Sequence, residues 1–539
     1  MTVRQAGAPI ADQEFKQAAL EGGDKLLEEL FSPDNKDGPH SFKDTKCRLY
    51  PKLTFFFDGT NNNLERDAPL DRLSNVAKLY RAAVDDRQRR GASARYIPGV
   101  GTPFKIPKIM GYTDMLEDDR GGALGLGFGA GGDMRIKFAL AEFSRILERD
   151  WSSPSWKCMQ FISVSIFGFS RGATGTRAFV RRLIKTRCQR TDSGLIWQAP
   201  NGERVPLRIK FMGLFDTVAS IGGPALHLDW GAELAIPPEV ERCVHYVAAH
   251  EVRQAFPLDS VRVDRTYPAN CEEIVYPGVH SDVGGGYAPD EQGRSNLLSR
   301  IPLRHMLAEA LRAGVPLNLP KRLRDDWQAD YALADDDPAV SLYQDYMAAL
   351  PEASGRDVEA LIQPHRRLKF HWRGMMDRQY TDRRVLGRLY GKVSQTVCAS
   401  VPPATDGDHP ACSPNRWIYD LPPHPEEQAR QLLAEQRRLV QRVAFLRNPV
   451  EPRAGNQDWP PPAPRARTAY EDQILAAWDE RSAVLPAVDG LLAEHVHDSV
   501  AHFTSWPCAL HDQRGIYCDQ SRYLADNRGT RQPGSAAAA

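Results

Sequence analysis

The residues with the clearest chemical meaning are Gly168-Phe169-Ser170-Arg171-Gly172, a G-x-S-x-G pentapeptide. It follows an apolar run, 161–167, and opens a helical pattern, as a nucleophile elbow requires. Such a turn presents a serine hydroxyl above a sheet edge, with the positive end of a helix dipole beside it. Gly168 and Gly172 suit the turn because side chains there would meet neighbouring backbone. The Arg171 N–H is placed to steady an oxyanion. Serine alone is a poor nucleophile and needs a base oriented by a carboxylate. In this architecture the acid and then the histidine follow the serine along the chain. Asp216 ends the apolar run 208–215 and is the candidate acid. His280 lies in Pro277-Gly278-Val279-His280-Ser281-Asp282, ahead of Gly284-Gly285-Gly286, and is the candidate base. Asp282 is an alternative acid, and His245, His250 and His497 are reserve bases.

A second oxyanion donor is expected after an early strand, where Phe57-Asp58-Gly59-Thr60 supplies Gly59 and Thr60. Asp58 also resembles the strand-end nucleophile of D-x-D-x-T phosphotransferases, but the second carboxylate is missing. The chemistry these residues support is acyl transfer, which needs no cofactor. No grouping of His, Cys, Asp or Glu has metal-ligand spacing.

The elements that must hold these residues read as an α/β fold with a mostly parallel sheet. Four near-continuous apolar runs predict strands over Lys52–Phe57, Met159–Phe167, Arg208–Phe215 and Glu273–Val279. Helical patterns fall between them, over Arg72–Asp85, Asp133–Arg149, Arg171–Lys185 and Pro238–Phe256. Gly121–Gly132 reads as a surface or lid loop, and Asp133 as the cap that starts the next helix. A leading helical pattern, Phe15–Phe31, is interrupted at Gly22-Gly23. Pro302–Ala313 is helical, after which the chain becomes charged and helix-rich. Pro425–Phe445 is its longest periodic stretch, Pro449–Pro464 a proline-rich break, and Tyr470–Phe503 helical again. The organisation expected is a helical leader (1–50), a catalytic α/β domain (51–313) and a helix-rich accessory or cap module (314–539).

Composition sets outer limits. The chain has 539 residues, too many for one ordinary core, and 42% are hydrophobic, enough to build a substantial one. Its 69 basic and 69 acidic residues balance, which argues against a general nucleic-acid binder. The balance also gives no long-range attraction to anionic membranes. Nine scattered cysteines without a C-x-x-C pair point to reduced core thiols rather than a disulfide framework or zinc site. The first residues lack signal-peptide architecture, so export by a cleaved signal is not expected.

The segments FFFDGTNNN, GVGT (99–102), FGFSRGATGTRAF, GLFDTVASIG and YPGVHSDVGGGY, in that order, resemble the Tle1 family of type VI secretion lipase effectors, which share the DUF2235 α/β-hydrolase domain. The resemblance covers roughly residues 50–300, with a weaker continuation around His497. It implies a phospholipase of A1 or A2 type acting on bacterial membrane phospholipids, with Ser170 as nucleophile, Asp216 as acid and His280 as base. It further implies synthesis in the cytoplasm, delivery on a VgrG-like spike protein or adaptor, action in a rival's periplasm, and neutralisation by a cognate immunity protein. Two other readings use the same residues. One is a serine esterase or thioesterase for small soluble esters; the other is an inactive hydrolase scaffold that docks a partner.

Overall fold

The computed structural model describes residues 3–31, 48–104, 131–151, 153–221, 229–231, 233–253, 255–263, 266–334, 336–353, 355–379, 425–450, 464–501, 514, 516–519 and 523–524. Its centre is a nine-stranded sheet. The strands are β1 (Val3–Gln5), β2 (Lys52–Phe57), β3 (Ala92–Ile97), β4 (Ile162–Phe169), β5 (Cys188–Thr191), β6 (Gly194–Gln198), β7 (Arg204–Phe215), β8 (Cys243–Ala248) and β10 (Cys271–Tyr276). The order is β1-β10-β8-β7-β4-β2-β3, and every pair along that path is parallel. The hairpin β5–β6 joins antiparallel to the start of β7. A small second sheet is formed by β9 (Leu258–Val263), β11 (Ile516–Asp519) and β12 (Tyr523–Leu524).

The alternation of side chains explains why the strands are buried on both faces. Phe56, Phe167, Phe211, Tyr246 and Tyr276 point into one core, shared with the helices 12–31, 75–82 and 300–312. Phe55, Phe57, Val164, Ile166 and Leu214 point into the other, against the helices 132–145 and 171–187. Large apolar side chains on both pleats are what a parallel sheet between two helical layers demands. Pairing puts Phe57 beside Gly168, Phe169 beside Phe215, and Phe215 beside Tyr246, so the strand ends align. The residues that follow them, Asp58, Ser170 and Asp216, share one edge, as ligand and catalytic groups do in open α/β sheets.

The region after residue 313 is helical, over 338–348, 358–379, 425–447, 469–479 and 486–494. It is continuous with the first core, through Trp372, Met376, Leu432, Leu491 and Val496. A satellite cluster of Phe370, Leu439, Val443, Tyr470 and Trp478 ties its own helices together. Among the described residues no helix is long and apolar enough to cross a membrane.

Several expectations are corrected. The segment 238–256, read as a helix, holds β8, whose six residues are all buried in the middle of the sheet. Cys-Val-His-Tyr-Val-Ala is a short β-branched and aromatic run, and the polar residues around it gave a false helical period. The helix at 12–31 passes through Gly22-Gly23 unbroken. Gly22 serves close packing there: a Cβ would lie 2.0 Å from Leu311 O. Asp133 is inside the first helical turn, paired with Lys137 and Arg182, and Gly131 in a left-handed conformation is the cap. Cys158 is disulfide-bonded, against the expectation of reduced thiols throughout. Most of the glycine-rich loop and of the proline-rich break lies outside the described residues.

Candidate active site

Ser170 joins β4 to the helix 171–187 and has φ +56° and ψ −127°. A non-glycine residue held there stores strain of about 1–3 kcal/mol, which the surroundings must over-determine. They do. The Ser170 N–H donates to Phe215 O at 3.0 Å, and its carbonyl accepts from Ala173, Thr174 and Val218. The flanking glycines are required by contact: a Cβ at Gly172 would sit 2.3 Å from both Phe57 O and Asp58 O. One at Gly168 would sit 2.6 Å from the Ala173 Cα. Ser170 is thereby fixed at the mouth of the sheet edge, 2% exposed.

Asp216 follows β7 with φ +40°, another strained strand end. Its N–H donates to Tyr246 O, and Oδ1 accepts from the Ala248 N–H at 2.9 Å. Oδ2 lies 2.5 Å from His280 Nδ1. Arg514, far along the chain, grips the same carboxylate with both guanidinium ends, Nη1 to Oδ1 at 2.7 Å and Nη2 to Oδ2 at 2.8 Å. Burial alone would raise the Asp216 carboxyl. The Arg514 charge and the His280 hydrogen bond outweigh it and hold the group ionised, well below the usual carboxylate range. His280 opens a short helix, 280–284, and its ring packs on Phe169 at 4.6 Å and on Phe256 at 5.3 Å. Burial pushes its pKa below the ordinary value, against the opposing pull of Asp216. At neutral pH the ring is therefore uncharged, with its Nδ1 proton on the Asp216 side and its Nε2 left as an acceptor.

Further buried groups fix the His280 loop. Glu251 Oε2 accepts from the His280 N–H at 3.3 Å, and Glu251 is clamped by the Arg253 fork and by Ser499 Oγ. Burial opposes its charge, but Arg253 brings its carboxyl down to about 2. Asp282 does not reach His280. It accepts from the Val279 N–H and from the backbone and Nδ1 of His497, the last at 2.6 Å. His497 lies flat on Tyr287 at 3.9 Å. The other reserve bases have both ring nitrogens engaged. His245 contacts Glu273 and the Thr217 N–H, and His250 contacts Tyr346 and the Gly278 N–H.

Across the sheet edge, Asp58 organises the loop expected to help bind an oxyanion. Its carboxylate accepts from Ser74 Oγ and Tyr96 OH at 2.5 Å and from the Gly59 N–H at 2.7 Å. The Gly59 amide is therefore turned toward Asp58. Thr60 Oγ1 accepts from Arg171 Nε at 2.7 Å, which locks this loop to the elbow. Buried and without a cation among these contacts, Asp58 is pushed up to about 6 by desolvation. This is the setting of a loop organiser rather than of a phosphotransfer nucleophile.

The family model of the Tle1-like catalytic domain of type VI secretion system phospholipase effectors matches residues 52–188 and 196–309. This stretch is a Tle1-like catalytic domain. The match takes in the elbow, Asp216 and His280 together and stops before the helices of the carboxy-terminal half. Among solved structures, an uncharacterized protein from Pseudomonas aeruginosa aligns over 98% of this chain and 86% of its own, with 21% identity and a TM-score of 0.66. That likeness is one of fold and extends beyond the catalytic domain. A Tle1 effector bound to the VgrG spike of the type 6 secretion system aligns over 60% of this chain and 84% of its own, with 18% identity and a TM-score of 0.34. A 40-residue segment is 58% identical to an uncharacterized protein of Saccharomyces cerevisiae, YEL023C, and spans 7% of this chain and 6% of that protein.

Three features of the Tle1-like site were not visible in the sequence: Arg514 on Asp216, Glu251 under His280, and the pairing of Asp282 with His497. Glu251 had a usable signal, since it follows β8 at the same edge as the other strand-end groups. Arg514 had none, because it lies in no motif and no periodic element.

Proposed function

We propose that this protein is an antibacterial type VI effector lipase that hydrolyses acyl esters of membrane phospholipids, a phospholipase of A type, through Ser170, His280 and Asp216. The observation that carries this reading is the 2.5 Å contact of His280 Nδ1 with a buried, ionised Asp216 at the sheet edge that also bears the strained Ser170. The Tle1-like match over the same residues supports the substrate class.

Ser170 Oγ attacks the ester carbonyl carbon while His280 Nε2 takes its proton. The negative charge forming on the carbonyl oxygen falls to the backbone N–H groups of Arg171 and Thr60, with Gly59 shaping the turn. His280 returns the proton to the departing lysophospholipid oxygen, leaving an acyl-serine. Water, deprotonated by the same histidine, attacks that ester, and the fatty acid leaves with Ser170 restored. Gly168 and Gly172 hold the elbow. Residues 51–313 carry this chemistry, and 314–539 form the module that covers it and meets lipid or partners. We further propose that a VgrG-like spike or an adaptor carries the protein into a rival's periplasm and that a cognate immunity protein restrains it.

The test is release of fatty acid from phospholipid labelled at one acyl position, beside a panel of short soluble esters. Long-chain phospholipid should be preferred, and Ser170→Ala should lose turnover while keeping its fold. Full residual activity in Ser170→Ala, or hydrolysis of short esters alone, would sink the reading.

A further inference from the structure

We propose that Arg514 is a positioning residue for catalysis: the carboxy-terminal segment completes the active site by clamping both oxygens of Asp216. The inference rests on the Ser170–His280–Asp216 reading above.

The geometry is specific. Asp216 has four acceptor contacts and all are filled. Oδ1 takes the Ala248 N–H and Arg514 Nη1; Oδ2 takes His280 Nδ1 and Arg514 Nη2. Two parallel contacts from a planar guanidinium set both the position and the plane of the carboxylate, which a single donor cannot do. That plane decides where His280 points, since the imidazole is held by Oδ2. Arg514 and Asp216 are both fully buried, so the pair is undiluted by solvent. Without the guanidinium, Asp216 would be a buried carboxylate with only an amide and a neutral imidazole to hold it, and it would turn or take a proton.

Arg514 is also delivered to this spot rather than lying there by chance. Its Nε donates to Phe256 O, one side of the His280 ring packing. Two residues later the chain enters β11, which pairs parallel with β9, Ile516 beside Leu258 and Tyr517 beside Asp259. Ile516 is buried with Val247, Leu258 and Val275 from the central sheet region. The strand is the anchor and Arg514 the group it delivers. The Tle1-like match ends at residue 309, so this contact comes from outside the matched domain.

The test uses the full chain with Arg514→Ala, Arg514→Gln and Arg514→Lys, a short soluble ester as substrate, and Ser170→Ala and His280→Ala as controls. The short ester removes membrane docking from the readout. We expect Arg514→Ala and Arg514→Gln to lower kcat by about 100-fold with KM changed less than about twofold. Arg514→Lys should retain roughly a tenth of kcat, since it restores charge but not the fork. Added guanidinium ion should raise the kcat of Arg514→Ala by about tenfold and leave the wild type and Asp216→Ala unchanged. A kcat within about threefold of wild type in folded Arg514→Ala or Arg514→Gln overturns the proposal. So does a loss that tracks the folded fraction in thermal melts and does not respond to guanidinium, because Arg514 would then be only structural. If the Ser170 and His280 controls keep their activity, the triad reading itself has failed. If they lose it while the Arg514 variants do not, only this inference has.

Discussion

The Ser170 half of the candidate site and the His280 half are built in different ways. The Ser170 half is local. Strand, elbow and helix follow one another, and both glycines lie within two residues of the serine. The His280 half is assembled from a distance. Asp216 is 64 residues from His280, Ser499 reaches Glu251 across 248 residues, and Arg514 reaches Asp216 across 298. The first half is specified largely by short-range sequence, with the end of β2 and the Phe215 carbonyl as its distant supports. A distributed half depends on the whole chain being folded, including segments beyond the catalytic domain. Coupling the two makes activity a report on the integrity of the carboxy-terminal region.

The largest effect should come from either half alone. Ser170→Ala, His280→Ala and Asp216→Ala should each lower kcat by about 10⁴-fold or more with little change in thermal stability for Ser170→Ala. Steady-state kinetics beside melting curves checks this, and a mild Asp216 phenotype would break the claim that the base half needs its acid. Next, Gly172→Ala should destabilise by about 3 kcal/mol, since the new methyl would meet two backbone oxygens that cannot yield. Denaturant unfolding would show it; a neutral result would mean the elbow is less tightly determined than its contacts imply. Glu251→Ala should cost about 3 kcal/mol by removing the buried carboxylate that takes both ends of the Arg253 fork. His497→Ala should be smaller, a fall of about tenfold in kcat as Asp282 loses its hold and the His280 loop shifts.

Two pH effects sharpen the same contrast. The His280 pKa is lowered, so the acid limb of kcat/KM should have its midpoint below the ordinary 6.5. A midpoint above 6.5 would mean that Asp216 dominates burial. Glu251 has a folded value of about 2 against an ordinary 4.5, so its stabilisation is complete above about 4.5 and is lost as the pH falls toward 2. Glu251→Gln should remove that part of the acid destabilisation in unfolding curves.

The sequence was most legible where the structure is local. β2 begins and ends at Lys52 and Phe57 as read, and the elbow helix starts at Arg171 as expected. Asp216 and His280 were visible because both follow apolar strand runs, Asp216 directly after β7 and His280 a short turn after β10. β8 was missed because six residues are too few to show a period against polar flanks, and Glu251 was missed with it. Arg514 could not be read at all. Its meaning comes from a parallel pairing of β11 with β9 that no neighbouring residue announces.

The central claim is that Ser170 is a nucleophile activated by His280 and Asp216. Labelling with a long-chain fluorophosphonate, followed by peptide mass spectrometry, tests it most directly. The account predicts a single adduct on Ser170, formed in the wild type and slowed by about 10³-fold or more in His280→Ala and Asp216→Ala. An adduct on another residue, or Ser170 labelling at the wild-type rate in those two variants, would contradict it.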